Sequence, residues 1–359
     1  MERCGEGAGE RAVPLRRLRR PRLLLRGALD GGAFTVALDQ KELDGDGVAA
    51  EVVFPDADAV DSRTAAPFGV GLSLSGDQDP ELGMAGARAH DRWLADFVSE
   101  HPERHCYVAL LPVTGEADRV VAEIHRAKES GLGALMIPAM WVDKAPYHDR
   151  RYDPVWAAAA ECAMPVLTHS GAVPRHEYGD HLGIYVSEVT WWPGRPLSFL
   201  LWSGVFERHP GLRLVLTEQG SGWIPGVLDM LDYCHARLVA AARSGGTAET
   251  AESKFGAGLA EAMGKGPSEV WRDNCFVGAS FMRPHEAALR DRIGLDKIMW
   301  GGDYPHDEGT HPYSREGLRT AYAGLPRDEI AAMVGGNAAR VYGFDLERLE
   351  TIAARGAPR

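Results

Sequence analysis

The sequence predicts an α/β fold of the (β/α)₈ TIM-barrel class. Short, continuously apolar runs alternate with helical patterns over most of the chain. Continuous runs are typical of strands that helices cover on both faces, whereas half-exposed strands alternate apolar and polar residues. Strand–helix repetition in turn predicts parallel βαβ units. The 359 residues suit one barrel with insertions.

Seven runs are predicted strands. They are VAAEVVFP (48–55), HCYVALLPV (105–113), LGALMIPAM (132–140), MPVLTHS (164–170), LRLVLTE (212–218), NCFVGAS (274–280) and DKIMWGGD (296–303). A closed barrel needs one more strand, which must come from the N-terminal part. The best candidate is FTVALD (34–39), followed by RLLLRG (22–27), so strand one is weak or missing.

The domain organisation predicted from composition is a single barrel over residues 31–345. Residues 1–30 are rich in arginine and proline, without a helical or strand period, and are predicted to form a disordered leader. Residues 244–272, rich in Gly, Ala, Ser and Glu, are predicted to be an insertion. Residues 346–359 are predicted to be a C-terminal tail.

Charge and cysteine usage exclude several classes of protein. The formal net charge of −12 argues against nucleic acid and against an anionic membrane surface as partners. The five cysteines form no C-x-x-C pair, which is typical of a reducing compartment. No apolar run approaches the roughly 18 residues of a membrane span, and no convincing secretory signal is present. We therefore expect a cytoplasmic protein whose partner is a small molecule.

Three predicted strands end in an ionisable residue with glycine nearby. They read PVLT-His169, LVLT-Glu218 and IMWGG-Asp303. Reactive groups of parallel α/β folds lie at the carboxyl ends of the strands. Each residue alone has a simpler explanation, since histidines there are often structural and carboxylates often cap helices. Together, imidazole and carboxylates from different strands indicate a site for a divalent cation.

Further candidates follow the same strands. His176, His181 and Glu188 come after the fourth strand, and His306 and Glu308 after the seventh, with His306 the best placed for substrate contact. Aromatic residues that are able to line a pocket, although packing is their commoner role, are Trp141, Tyr147, Trp191 and Trp192. Asp56 is predicted to cap a loop. Motifs of zinc proteases, serine hydrolases, phosphate loops and dinucleotide sites are absent from the sequence.

The order PVLTHSG, LTEQGSGWIPGVLDMLD, IMWGGDYPHDEGT and NAARVYGFD resembles the amidohydrolase-related family that includes aminocarboxymuconate semialdehyde decarboxylase and the resorcylate decarboxylases. The resemblance spans roughly residues 40–345. It implies a (β/α)₈ barrel with one divalent metal ion, zinc or manganese, bound by His169 and Asp303. Many members carry a catalytic histidine where this chain has Glu218, and a carboxylate is also able to act as general acid or base. The resemblance also implies a possible homodimer.

The N-terminal region departs from this family. Members usually carry a His-x-His or Glu-x-His pair at the end of strand one, whereas the first histidine here is His90. Two protein ligands are fewer than the three typical of catalytic zinc. Either the recorded start omits strand one, which the leader favours, or a residue such as Asp39 or Glu218 completes the set, or the barrel has lost its metal.

Two functions from different classes follow. The first is a metal-dependent hydrolase or non-oxidative decarboxylase acting on a small carboxylated substrate, aromatic or unsaturated. His169 and Asp303 bind the metal, Asp303 also accepts a proton from water, Glu218 shuttles a proton and His306 contacts substrate. The second is a catalytically silent barrel that binds a ligand or partner. A metal-free hydrolase using Ser170 or Ser221 is a weaker third hypothesis, because no His–Asp partners can be assigned to either serine.

Overall fold

The computed structural model describes residues 36–55, 79–113, 116–141, 144–171, 173, 177–243, 263–280, 282–306 and 308–356. These residues contain a seven-stranded parallel sheet in which each strand pairs with the next along the chain. The strands are β1 Glu51–Val53, β2 His105–Leu110, β3 Ala134–Met136, β4 Val166–His169, β5 Leu214–Thr217, β6 Cys275–Ser280 and β7 Ile298–Gly301. All seven predicted strands are confirmed.

Helices connect successive strands, as the predicted βαβ units require. They are α1 Val36–Asp46, α2 Pro80–Val98, α3 Ala117–Glu129, α4 Asp153–Glu161, α5 Leu182–Glu188, α6 Arg195–Trp202, α7 Val205–Arg208, α8 Ile224–Arg243, α9 Pro267–Asn274, α10 Pro284–Ala287, α11 Arg290–Ile293, α12 Ser314–Ala321, α13 Arg327–Ala331, α14 Asn337–Tyr342 and α15 Leu346–Gly356. A π-helical turn, Ala332–Gly336, joins α13 to α14.

The buried apolar residues form two layers, one on each face of the sheet. Leu214 and Leu216 of β5 belong to the larger cluster, which also contains helix residues such as Ile124 and Leu228. Val215, between them, belongs to a smaller cluster built mainly from strand residues. Because side chains alternate along a strand, the larger cluster is the sheet–helix layer and the smaller one is the barrel interior.

This alternation decides which strand-end residues face the interior. Leu167 and Met299 belong to the inner cluster. Two residues after Leu167, the strand β4 ends at His169, so the imidazole continues the inward row. Asp303 lies two residues beyond the end of β7, where alternation no longer applies, and its positive φ sets its direction. The amino-acid order therefore points His169 into the mouth of the barrel, and the turn after β7 places Asp303.

The predicted strand FTVALD (34–39) is wrong, because residues 36–39 begin helix α1. The residues that follow Val36 include Leu, Gln, Lys and Glu, which are good helix formers. The helix also has partners, since Gln40 Nε2 lies 2.7 Å from Nε2 of the buried His105 at the start of β2. The alternative strand, RLLLRG (22–27), lies outside the described residues. Strand one is thus missing from the part of the chain that the structure describes.

The predicted insertion and tail both contain helix where they are described. The end of the 244–272 segment lies in α9, which continues directly into β6, and the tail begins with α15. The four described cysteines are free. Among the described helices, none combines the length and the apolar character that a membrane crossing requires.

Leu167→Ala is expected to lower the free energy of unfolding by about 2–5 kcal/mol. Leu167 has no exposed surface and lies in the barrel interior, where a cavity cannot collapse easily. Denaturant unfolding followed by circular dichroism measures the change. Leu82→Ala is the matched control, because Leu82 is 53% exposed, and we expect less than about 0.5 kcal/mol for it. Equal losses in both variants would contradict a packed interior.

Candidate metal and acid–base site

Neighbouring strands bring His169 and Glu218 together. Strands β4 and β5 pair in the register His169↔Thr217, and Glu218 is the next residue. Nδ1 of His169 lies 2.9 Å from the backbone oxygen of Ser170 and 3.2 Å from Oε2 of Glu218. Two acceptors around Nδ1 favour the tautomer that carries its proton there. The Nε2 lone pair of His169 is then available to a metal ion.

Glu218 is held by its neighbours through one oxygen. The Ser170 hydroxyl donates a hydrogen bond of 2.5 Å to Oε2, the oxygen that also faces His169. Burial raises the pKa of Glu218, and Asp303 raises it further, while His169 and Ser170 oppose the shift. The carboxyl group is thus stabilised in place at Oε2, and no described residue hydrogen-bonds to Oε1.

Asp303 presents an unsatisfied oxygen to the same site. Its Oδ2 is buried and accepts no hydrogen bond from a described residue, although Nδ1 of His306 lies 3.3 Å away in an ion-pair contact. The Asp303 carboxylate raises the pKa of His306 to about 9, against the opposing effect of partial burial. A buried carboxylate oxygen without a donor is costly unless a cation or water satisfies it.

Both strand-end carboxylates sit on strained backbone. Glu218 has φ of 60° and Asp303 has φ of 57°, in the left-handed region that residues with a Cβ rarely adopt. Such conformations cost on the order of 1–3 kcal/mol and cluster at functional sites. The loop after β7 is also tight at Gly309, where a Cβ would lie 2.7 Å from the backbone oxygen of Asp303. The fold therefore bends the chain to aim these two carboxylates.

Three donor groups converge. One ligand atom from each of Glu218, Asp303 and His306 lies within 4.8 Å of the others. His169 adjoins this set through its contact with Glu218. Sequence reasoning named all four residues, and the structure brings them together at the mouth of the barrel. The arrangement of imidazoles and carboxylates suits a divalent ion such as zinc or manganese.

A family profile described as "Amidohydrolase" matches residues 23–344. The chain belongs to the amidohydrolase family. Among its curated relatives, gamma-resorcylate decarboxylase of Rhodococcus jostii is 31% identical over 246 residues, which are 63% of this chain and 68% of that protein. The predicted family and the prediction of an enzyme are confirmed.

Solved structures confirm the fold class of this amidohydrolase. The 5-carboxyvanillate decarboxylase of Sphingomonas paucimobilis has a TM-score of 0.66 and 22% identity, covering 91% of this chain and 87% of that one. The 5-carboxyvanillate decarboxylase of Novosphingobium aromaticivorans, solved with bound manganese, has a TM-score of 0.64 and 19% identity, covering 85% and 80%. At these identities the likeness concerns the barrel fold, which confirms the predicted TIM-barrel class.

The remaining predicted residues that the structure describes do not join the four-residue site. Burial raises the pKa of Tyr178 to about 12, and the Glu188 carboxylate, which accepts a hydrogen bond of 2.5 Å from the Tyr178 hydroxyl, contributes to the shift. Tyr147 is a core residue whose hydroxyl donates to the oxygen of Pro138. His181 lies exposed before α5, and Glu308 and Trp191 are exposed as well. His176 and Asp56 lie outside the described residues, and of Asp39 only its place in α1 is described.

The serine hypothesis finds no support in the geometry of the amidohydrolase. Ser221 has no exposed surface, and its hydroxyl faces the sulfur of Met282 at 3.7 Å. Ser170 donates a hydrogen bond to Glu218, which could serve as its base, but Ser170 is buried and lacks access to substrate. A nucleophile needs access to substrate and a base that removes its proton. Neither serine combines the two.

Sequence reasoning missed Glu286, which holds the loop that carries Glu218. The Glu286 side chain is 2% exposed, and its Oε1 accepts hydrogen bonds from the backbone of Ser221 at 2.9 Å and of Gly222 at 3.1 Å. Gly220 packs so closely that a Cβ there would lie 2.9 Å from the same oxygen. The only signal in the sequence was a Pro-x-Glu helix start, which is common and does not reveal a contact across 65 residues.

Glu286→Ala is expected to destabilise the protein by about 2–5 kcal/mol, because it leaves two buried N–H groups without an acceptor. Thermal unfolding of the variant measures the loss. Glu269→Ala is the matched control. Glu269 occupies the third position of α9, as Glu286 does in α10, but the hydrogen bond that it accepts from the backbone N–H of Gly266 is exposed. We expect about 0.5–1 kcal/mol for the control. A comparable loss in both variants would show that Glu286 is only a helix cap.

Proposed function

We propose that this amidohydrolase is a non-oxidative decarboxylase of small aromatic carboxylates that works with one divalent metal ion. The buried, unsatisfied Oδ2 of Asp303 within a set of imidazole and carboxylate donors carries the proposal. The substrate class is supported by the similar proteins, which include decarboxylases of gamma-resorcylate and of 5-carboxyvanillate. Hydrolysis was the other reaction left open by the sequence, and no relative named above is a hydrolase.

The residues present fit a metal ion. We assign His169 and Asp303 as ligands, and we add His306, whose Nδ1 lies 3.3 Å from the unsatisfied oxygen of Asp303. With His306 deprotonated on metal binding, two imidazoles and a carboxylate would supply the three ligands typical of catalytic zinc. The donor atoms that lie within 4.8 Å of one another belong to Glu218, Asp303 and His306, and His169 adjoins them through Glu218. When bound, the ion would act as a Lewis acid that polarises the oxygens of the substrate and favours charge build-up on them. His306, being half-exposed, also lies where it would meet substrate entering the mouth.

Glu218 is assigned the proton transfer. Its Oε2 is occupied by Ser170 and His169, so the proton to be transferred is carried on Oε1. The Ser170 hydrogen bond and the positive φ hold the carboxyl group in one direction, which is what an acid–base group requires. In this assignment Glu218 takes the place that a histidine has in many members of the family.

Decarboxylation then follows from the positions of these residues. The protonated Glu218 delivers its proton to the ring carbon that bears the carboxylate, and a new C–H bond forms. The C–C bond to the carboxylate breaks, its electron pair returns to the ring, and carbon dioxide leaves. Glu218 then regains a proton from water. The net reaction exchanges one carboxylate for one proton.

The decisive experiment supplies the purified protein with manganese or zinc and with 2,6-dihydroxybenzoate or 5-carboxyvanillate. We expect the decarboxylated phenol and one equivalent of carbon dioxide, detected by chromatography, and loss of turnover after chelation. Release of a hydrolysis product from an amide or lactone substrate, without carbon dioxide from either acid, would replace decarboxylation by hydrolysis. No turnover and no metal uptake would favour the silent barrel. The cytoplasmic location and the homodimer stay predictions.

A further inference from the structure

Arg195 carries a guanidinium group that is surrounded by aromatic rings. Its Cζ lies 4.6 Å from the ring centroid of Trp141, 5.1 Å from that of Phe199 and 5.6 Å from that of Trp192. Stacking on rings holds the planar guanidinium in a fixed orientation without using its N–H groups. The side chain is therefore ordered, and its donors are not consumed by the contacts that order it.

The positive charge of Arg195 has no counter-charge among the described residues, where no carboxylate pairs with it and no acceptor takes its hydrogen bonds. Other arginines differ, as Arg208 pairs with Asp153 at 2.7 Å and Arg290 pairs with Glu329 at 2.5 Å. Arg195 is thus oriented by ring contacts and not by an ion pair, in a protein of net charge −12. Its five N–H donors fit the geometry of a carboxylate.

The segment that carries Arg195 is packed on the two strands that carry the site. The Thr168 hydroxyl, one residue before His169, donates a hydrogen bond of 2.7 Å to the oxygen of Pro193. Gly194 lies against Gln219, one residue after Glu218, so closely that a Cβ would be 2.9 Å from Oε1 of Gln219. Trp141 follows the carboxyl end of β3. Arg195 thus lies at the rim of the same end of the barrel.

We propose that Arg195 binds a carboxylate of the substrate other than the one that is lost, so that the preferred substrates are aromatic dicarboxylates. The inference rests on the proposed function for the identity of the reacting carboxylate. The guanidinium would form a bidentate pair with the second carboxylate, while the flanking Trp141 and Trp192 exclude water from one side of it. Monocarboxylates leave this arginine unpaired and bind less tightly.

Equilibrium binding of two simple aromatic acids, measured separately from turnover, tests the proposal. The probes are isophthalate, which has two carboxylates on one ring, and benzoate, which has one. We expect isophthalate to bind at least about tenfold more tightly to the wild-type protein, since charge-assisted hydrogen bonds are roughly twice as strong as neutral ones. Titration calorimetry gives the affinities, and the difference in tryptophan quenching between the wild type and a Trp192→Phe variant reports the location.

Arg195→Gln is expected to remove the preference for isophthalate while leaving the affinity for benzoate within about twofold, because only the second carboxylate loses its partner. Arg195→Lys should restore part of the preference, since the charge remains but the bidentate geometry does not. Arg237→Gln is the matched control, as Arg237 also stacks on a ring, Tyr233, on the surface of α8. Unfolding midpoints of all variants identify any loss of fold.

Two results would overturn the proposal. One is equal affinity of the wild-type protein for isophthalate and benzoate. The other is a preference that survives in a folded Arg195→Gln protein. Failure of the decarboxylase assay with retained, Arg195-dependent isophthalate binding would instead reject the proposed reaction and leave the carboxylate site standing.

Discussion

Asp303→Asn is expected to lose both the bound metal and the activity, with a fall in kcat/KM of about 10²–10⁴-fold or more. Asp303 provides the buried oxygen that no described residue satisfies, and an amide in its place offers a neutral and weaker ligand. The fold should survive, because the substitution conserves volume at the end of a strand. Metal content by mass spectrometry and turnover, measured on the same preparation, check the expectation.

The matched control is Glu308→Gln, which removes an exposed carboxylate from the same loop. We expect it to keep about one equivalent of zinc or manganese and most of the activity. Full turnover by a folded Asp303→Asn protein would contradict the role assigned to Asp303. A wild-type protein that contains no metal and binds no added divalent ion would contradict the metal site itself.

Glu218→Gln is expected to lower kcat by about 10²–10⁴-fold while the metal content stays near that of the wild type. Glutamine can still accept the hydrogen bond from Ser170, so His169 and the loop should keep their places. It cannot release a proton at Oε1, and the step that forms the C–H bond therefore fails. Incorporation of deuterium from solvent into the phenol product should fall by the same factor as kcat.

The metal content of Glu218→Gln separates the two roles that the geometry allows. Glu218 belongs to the donor set with Asp303 and His306, so loss of the ion in this variant would make Glu218 a ligand in place of a proton carrier. Glu161→Gln, on the exposed end of α4, is the control for the loss of one negative charge. We expect it to change neither property.

The strands were predictable because their signal is local. A continuous apolar run in this chain, such as LVL before Glu218, has helices on one side and the barrel interior on the other, and both demand apolar residues. The local signal failed at FTVALD (34–39), which was predicted as a strand but whose residues 36–39 begin a helix. A six-residue run does not distinguish a strand from the start of a helix, and the contact of Gln40 with His105, 65 residues away, helps to place the helix there.

The sequence by itself determined the fold class, the family and the three strand-end residues His169, Glu218 and Asp303, since residue order along a parallel sheet dictates which side chains share its carboxyl edge. Tertiary structure alone decided how these residues meet. Three such contacts join distant segments or depend on side-chain direction. They are the contact of His306 with Asp303, the hydrogen bonds between Glu286 and the loop that carries Glu218, and the rings around Arg195. Such contacts leave no periodic pattern in a sequence, because packing between elements, rather than local propensity, creates them.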